Sequence, residues 1–271
     1  MSPDTQRDHI FKKRVVYTRP GADAVTIRRD EPYRAADGSA LPMDLYYPPH
    51  STSGARTPVV IFITGFSDVG AQRLFGAPLK QMGSYTSWAQ LAAASGLAAI
   101  TYTNREPAAD AHAIVRHVRQ NAASLNMDEN RIGVWACSGN GPTALSVLMQ
   151  NAGDGLKCAA LCYPYTLDLD GSTSVADAAG QWGFVNPRAG TSVDDLPRDV
   201  PLFIARAGQD QMPGLNETLD RFLVQALTRN LPLTFVNHAA APHAFDLFDD
   251  SETSREIIRR ILSFFQFHLL T

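Results

Sequence analysis

A serine in a short turn is the first candidate for chemistry in this sequence, within the stretch Cys137-Ser138-Gly139-Asn140-Gly141. An apolar run at 131–136 precedes the turn and predicts a buried strand, and a helix-forming run at 142–149 follows it. A tight turn between a strand and a helix pushes the serine hydroxyl out of the sheet. The N-terminus of the helix adds unpaired N–H groups and a positive dipole end where negative charge develops during attack on a carbonyl group. Ser138 is therefore the candidate nucleophile.

A serine hydroxyl is a weak nucleophile at neutral pH, so it needs a base that is itself oriented by an acid. Asp210 comes just after an apolar run at 202–205, and His243 comes after another at 233–236. Each of the three residues follows its own predicted strand, in the order serine, aspartate, histidine. The pattern predicts a catalytic triad of Ser138, Asp210 and His243.

Other acids and histidines are weaker candidates for the same roles. Three aspartates lie before the run at 202–205 and so at the wrong end of that predicted strand: Asp194, Asp195 and Asp199. Among the seven histidines, His238 also follows the run at 233–236 and stays the alternative base.

Two backbone N–H groups must stabilise the oxyanion that forms when the hydroxyl attacks. Gly139, directly after the serine, is predicted to supply the first donor. We expect the second from Phe66, in the loop that follows an apolar run at 59–63. Gly65 and Gly139 lack a Cβ atom, so the backbone there allows a close approach of substrate. The predicted pocket residues are Gly65, Trp182 and Phe184.

Alternating strands and helices must hold these residues in place. Apolar runs typical of strands buried on both faces lie at 59–63, 97–102, 131–136, 158–163, 202–205 and 233–236. Helical patterns lie between most of these runs and after the last, at 85–95, 107–123, 140–151, 214–229 and 252–269. This alternation predicts an α/β fold with a mostly parallel central sheet covered by helices on both faces. Alternating segments near the N-terminus predict antiparallel strands at one edge, at 15–18, 25–28 and 41–47.

Two connections, 65–84 and 164–200, are too long to be simple turns. Long connections in compact domains are usually functional. Both begin at the carboxyl ends of predicted parallel strands, where ligands of open sheets bind. We therefore predict both as pocket walls, with 164–200 as a small lid insertion in a single domain that spans residues 1–271.

Composition and charge exclude several classes of protein. The chain has 271 residues, of which 45% are apolar, enough for one domain with a large core. The net charge of −3 does not favour binding to nucleic acid or to an anionic membrane surface. Residues 1–9 hold no apolar signal core, and no window is apolar enough for a membrane helix. Three cysteines without a metal-site spacing predict reduced thiols, so we expect a cytoplasmic protein. The predicted triad implies no metal and no organic cofactor.

The segment 128–141, which contains the turn, resembles the nucleophile-elbow segment of the α/β-hydrolase superfamily. Segments 41–48 and 242–245 resemble the second strand and the histidine loop of the same group. The sequence looks most like the dienelactone-hydrolase-like and prolyl-oligopeptidase-like serine esterases, from about residue 25 to the C-terminus. The resemblance implies an α/β-hydrolase fold and a serine hydrolase that cleaves small carboxylic esters through an acyl-enzyme.

The turn departs from the family pattern Gly-x-Ser-x-Gly in two ways. Ala136 and Asn140 stand at the glycine positions. Alanine is small enough for the crowded turn, whereas Asn140 requires either a wider contact between helix and strand or an amide that faces the site. Dienelactone hydrolases carry a cysteine nucleophile, so Cys137 is an alternative, but this register would place Trp135 where only small residues are tolerated. We therefore predict Ser138 as the nucleophile, with Cys137 packed beneath the sheet.

Several functions remain compatible with the same scaffold. The expected substrate is a small-molecule ester, and a lactone hydrolase or a small peptidase would use the same triad. A non-catalytic ligand-binding protein is the alternative from another class, because one fold can host unrelated functions. The sequence also leaves the oligomeric state open between a monomer and a homodimer.

Overall fold

A computed structural model of the chain describes residues 10–49, 56–151 and 155–271. The expectation about a signal core concerns residues 1–9, which lie outside the described residues. Eight strands form one sheet: β1 (Thr26–Arg34), β2 (Ala40–Tyr47), β3 (Thr57–Phe62), β4 (Ala98–Tyr102), β5 (Met127–Cys137), β6 (Leu156–Cys162), β7 (Leu202–Ala207) and β8 (Leu233–His238).

Helices connect most of these strands, as the alternation predicts. They include α1 (Asp68–Phe75), α2 (Gly83–Ala94), α3 (Pro107–Gln120), α4 (Ala122–Leu125), α5 (Gly141–Gln150), α6 (Ser174–Trp182), α7 (Leu215–Thr228), α8 (Phe245–Phe248) and α9 (Glu252–Leu270).

The strand order is β1-β2-β4-β3-β5-β6-β7-β8. β1 pairs with β2, and β2 with β4, in antiparallel fashion, whereas β4, β3, β5, β6, β7 and β8 pair in parallel. The predicted fold class is therefore confirmed: a mostly parallel sheet with an antiparallel N-terminal edge.

Two apolar cores lie on the two faces of the sheet, because successive strand residues point to opposite sides. On β3, Val59 and Ile61 belong to the core that α3, α5 and α7 cover. Val60 and Phe62 belong to the opposite core, which α2 and α9 cover. The continuous apolar runs in the sequence reflect this burial on both faces.

The strand predicted at 15–18 is wrong, because these residues lie in irregular structure. Their backbone bonds go elsewhere: the N–H of Val15 donates to Ser87 Oγ (3.0 Å), and that of Val16 to the carbonyl oxygen of Asp246 (2.8 Å). These two donors are therefore satisfied by residues of helices α2 and α8, and the segment does not join the sheet.

The carboxyl ends of the parallel strands meet at one edge of the sheet. Phe66, Ser138, Asp210 and His243 lie in the connections that follow β3, β5, β7 and β8 at this edge. The long connections at 65–84 and 164–200 begin there too and contain α1 and α6. Among the described residues, no helix combines the length and the apolarity that crossing a bilayer requires.

Candidate active site

Ser138 occupies a strained turn at the end of β5. Cys137 is still extended, with φ −139° and ψ 154°, whereas Ser138 has a φ of 52° in the left-handed region. Such a conformation is uncommon for a residue other than glycine and costs on the order of 1–3 kcal/mol. The surrounding contacts hold the turn in place, since the carbonyl oxygen of Ser138 accepts a hydrogen bond from the N–H of Tyr165 (3.1 Å).

The position just after this turn, Gly141, has no room for a side chain. A Cβ atom at Gly141 would lie only 2.1 Å from the carbonyl oxygen of Tyr165 and 2.8 Å from Pro164. The first residue of α5 therefore packs directly against the backbone that follows β6. In this chain the close contact falls one residue later than the second glycine of the family pattern, whose position Asn140 occupies.

The structure brings the three predicted triad residues together. Ser138 Oγ lies 3.0 Å from His243 Nε2, and His243 Nδ1 lies 2.6 Å from Asp210 Oδ2. The carboxylate of Asp210 is fully buried, and its Oδ1 accepts a hydrogen bond from the N–H of Met212 (2.9 Å). Both carboxylate oxygens thus have partners, and the imidazole has one preferred orientation. The arrangement can move a proton from the hydroxyl to the ring.

The alternative histidine and the three alternative aspartates make other contacts. His238 Nε2 lies 3.0 Å from Asp249 Oδ2 and 3.2 Å from Ser254 Oγ, at the start of α9. Asp194 forms an exposed ion pair with Arg229. Asp195 accepts a hydrogen bond from the N–H of Ser192, and Asp199 lies in a turn before β7.

The loop that carries Phe66 packs tightly against the turn that carries Ser138. A Cβ atom at Gly65 would lie 2.7 Å from the carbonyl oxygen of Gly139, so only glycine allows this approach. The N–H of Gly65 donates to Asn140 Oδ1 (2.6 Å), which makes Phe66 the next residue of the loop that can supply a donor. The ring of Phe66 also lies against Gly139, where a Cβ atom would be 3.1 Å from Phe66 Cζ.

Two cavities reach the Ser138 hydroxyl and His243. The first has a volume of about 300 Å³ and an aromatic wall. Its wall includes Phe66, Phe75, Tyr165, Trp182 and Phe184. The predicted pocket residues Trp182 and Phe184 thus lie on it, whereas Gly65 packs against the turn. The second cavity, of about 200 Å³, extends along Leu79, Met82, Tyr85, Trp135, Cys137 and Tyr163.

Cys137, the alternative nucleophile, lies at the second cavity. Its Sγ is 3.7 Å from Asn140 Nδ2, and its backbone belongs to β5, beside Cys162 of β6. Burial raises the pKa of the Cys137 thiol to about 12. A thiol in this environment stays protonated at neutral pH and is a poor nucleophile.

Asp246 is a functional candidate that the sequence analysis missed. Its carboxylate is buried and accepts hydrogen bonds from Trp88 Nε1 (2.7 Å) and from the hydroxyl of Tyr163 (2.6 Å). Burial raises the pKa of this carboxyl group. The Tyr163 ring in turn lies against the imidazole of His243, with centroids 4.9 Å apart. Asp246 thus supports the wall behind His243, and its place three residues after that histidine was the available signal.

Several solved structures that are similar to this chain are named as esterases. The structure of esterase Est22 is 17% identical, with a TM-score of 0.73, over 97% of this chain and 86% of that chain. An esterase from Pyrobaculum calidifontis is 18% identical, with a TM-score of 0.65, over 98% of this chain and 93% of that one. A bacterial heroin esterase is 16% identical, with a TM-score of 0.67, over 92% and 86%. No protein-family model and no curated protein matches the sequence. At these identities the likeness shows a shared fold.

Proposed function

We propose that this chain, which has the α/β-hydrolase fold, is a serine esterase that cleaves small carboxylic esters through an acyl-enzyme. The hydrogen-bonded chain of side chains at the strand ends is the observation that carries this proposal. It joins Ser138 Oγ to His243 Nε2 at 3.0 Å and His243 Nδ1 to Asp210 Oδ2 at 2.6 Å. The esterases with the same fold support the proposal as an analogy.

The first half of the reaction forms the acyl-enzyme. Ser138 Oγ attacks the carbonyl carbon of the ester while His243 Nε2 takes the hydroxyl proton. Asp210 keeps the proton of the neutral imidazole on Nδ1 and stabilises the imidazolium that forms. When the tetrahedral intermediate collapses, the bond to the alkoxy oxygen breaks, and His243 gives the proton to the leaving alcohol.

The second half releases the acid. A water molecule gives its proton to His243 Nε2 and attacks the acyl carbon. The Ser138–acyl bond then breaks, and the proton returns to Ser138 Oγ. Both tetrahedral intermediates carry negative charge on the former carbonyl oxygen. The N–H groups of Gly139 and Phe66 are proposed to stabilise it, and the loss of one such donor typically lowers kcat about 10²- to 10³-fold.

The cavities favour a neutral, apolar substrate of modest size. Aromatic and aliphatic side chains dominate the walls of the first, and its volume is about 300 Å³. The second is smaller, at about 200 Å³. Because both open at Ser138, the acyl and alcohol parts of an ester can occupy one each. Neither part can be large without movement of the walls.

Residues 164–200 are proposed as a wall of this pocket. Helix α6 and Phe184 lie within this connection, and the N–H of Val185 donates to the carbonyl oxygen of Gly65 (2.9 Å). Phe184 also forms an isolated bridge with Phe66. The connection is therefore joined to the loop that supplies one of the proposed oxyanion donors.

A fluorophosphonate serine probe tests the proposed function directly. We expect it to label the wild-type protein, and we expect hydrolysis of p-nitrophenyl acetate. Ser138→Ala should abolish both, whereas Cys137→Ala should keep most of the turnover. The opposite result for the two variants would make Cys137 the nucleophile. A wild-type protein that is folded but neither labelled nor active would favour the non-catalytic binding protein.

A further inference from the structure

Asn140 makes more contacts than its place in the turn requires. It stands where the family pattern has glycine, and its side chain is buried, with the whole residue only 3% exposed. Its Oδ1 accepts a hydrogen bond from the N–H of Gly65 (2.6 Å). Its Nδ2 donates to the carbonyl oxygen of Cys137 (2.8 Å) and to the hydroxyl of Tyr85 (3.0 Å). One carboxamide thus connects the serine turn, the loop after β3 and helix α2.

The two residues that supply the proposed oxyanion donors are adjacent in sequence to Asn140 and Gly65. Gly139 directly precedes Asn140, and Phe66 directly follows Gly65. The distance between the two donors therefore depends on the bond from Gly65 to Asn140 Oδ1. A buried N–H group without a partner is unfavourable, so a movement of the loop that broke this bond would cost free energy.

A second amide holds the same loop from its other side. Asn104 Nδ2 donates to Thr64 Oγ1 (2.7 Å) and to the carbonyl oxygen of Phe66 (3.0 Å). The loop is thus held between Asn104 and Asn140. Within the described residues, the hydrogen bond from Gly65 to Asn140 is the one that joins this loop to the turn that carries the nucleophile, so it adds direction to the packing of Gly65 against Gly139.

We propose that Asn140 is a positioning residue that aligns the two oxyanion donors. The proposal rests on the esterase function proposed above. Hydrogen-bond donors lower the barrier only when they are already aimed at the position that the oxyanion will occupy. A displacement of about 1 Å in a site of this kind can lower the rate about 10²-fold. The tight glycine contact is kept at Gly141, and the amide at position 140 adds a directed hydrogen bond to it.

Asn140→Ala and Asn140→Gly remove the bond to Gly65 while leaving room for the turn. We expect kcat for p-nitrophenyl acetate to fall about 10- to 100-fold in both variants, with KM within about threefold, because the loss is in the transition state. Asn140→Gly restores the residue of the family pattern and is the variant to use if Asn140→Ala does not fold.

Asn140→Asp keeps the shape of the side chain and changes its charge. A carboxylate there still accepts from Gly65, but its second oxygen faces the carbonyl oxygen of Cys137, and its charge lies near the developing oxyanion. We expect kcat to fall further than in Asn140→Ala.

A pair of ketone inhibitors separates alignment of the donors from general damage. A trifluoromethyl ketone forms a covalent hemiketal with the serine and needs the oxyanion donors, whereas the matching methyl ketone binds mainly as a ground-state analogue. Asn140→Ala should weaken the trifluoromethyl ketone by about the same factor as kcat/KM. The affinity for the methyl ketone should change less than threefold.

Asn151 is the matched control, because it is a buried asparagine at the other end of α5. Its Nδ2 donates to the carbonyl oxygen of Val147 (2.9 Å) and contacts His112 Nδ1 (3.1 Å). Asn151→Ala should lower Tm without changing kcat. An Asn140→Ala protein with wild-type kcat, or with equal losses for the two ketones, would overturn the positioning role and leave the esterase function intact. If the wild-type protein shows neither hydrolysis nor labelling, the proposed function fails, and this inference with it.

Discussion

The substitution Asp210→Asn tests the role of the acid most sharply, because the structure determines which way the new amide must point. Asp210 Oδ1 accepts from the N–H of Met212 (2.9 Å), and Oδ2 contacts His243 Nδ1 at 2.6 Å. An asparagine keeps its oxygen on the Met212 donor and turns its NH₂ group towards His243. Nδ1 must then accept, so the ring proton moves to Nε2.

This tautomer cannot act as the base. Nε2, 3.0 Å from Ser138 Oγ, would carry a hydrogen and could no longer accept the hydroxyl proton. If the proposed triad acts as it does in known serine hydrolases, kcat should fall about 10⁴-fold. At about 1.36 kcal/mol for each tenfold change, this is about 5.4 kcal/mol of transition-state stabilisation.

The assay is p-nitrophenyl acetate hydrolysis, with the folded fraction checked by circular dichroism. Asp220→Asn is the control, since Asp220 pairs with Arg206 at 2.8 Å and its side chain is 53% exposed, away from the triad. We expect its kcat to remain within twofold of wild type. Nitrogen NMR of the histidine ring should show the proton on Nε2 in Asp210→Asn. A loss of less than tenfold would refute the reasoning and point to another acid.

Three further predictions concern pH, pocket size and packing. Burial lowers the pKa of His112 to about 4 from its usual 6.5. As pH falls, the imidazole of His112 is protonated in the unfolded chain before it is protonated in the folded protein, so the stability present above pH 6.5 is lost as pH falls towards 4. In His112→Gln, Tm measured by calorimetry should depend less on pH in this range. Trp182→Ala enlarges the first cavity, so kcat/KM for p-nitrophenyl octanoate relative to acetate should rise about tenfold; an unchanged ratio would remove Trp182 from the pocket wall. Gly141→Ala places a Cβ atom 2.1 Å from the carbonyl oxygen of Tyr165, so the free energy of unfolding from urea titrations should fall by about 1–3 kcal/mol. Gly180→Ala is the control, because its Cβ atom meets nothing within 4 Å, and it should not destabilise the protein.

Much of the fold could be predicted because burial on both faces of a sheet leaves a continuous apolar run. The strands from β3 to β8 and their helices follow from this pattern. The failure at 15–18 has a different cause. Of these four residues only Val15 is buried, and the backbone N–H groups of Val15 and Val16 bond to Ser87 and Asp246 instead of to a neighbouring strand.

The sequence by itself determined the candidate catalytic residues: a serine, an aspartate and a histidine, each just beyond the end of a strand. Parallel strands bring their carboxyl ends to one edge, so the position of each residue in its own element was enough to place the three together. The tertiary structure alone decided the contacts between loops. Asn140 meets Gly65 across 75 residues of sequence, and Asp246 meets Trp88 across 158. Local periodicity carries no information about such contacts, because they depend on how connections fold over the sheet edge after the core has formed.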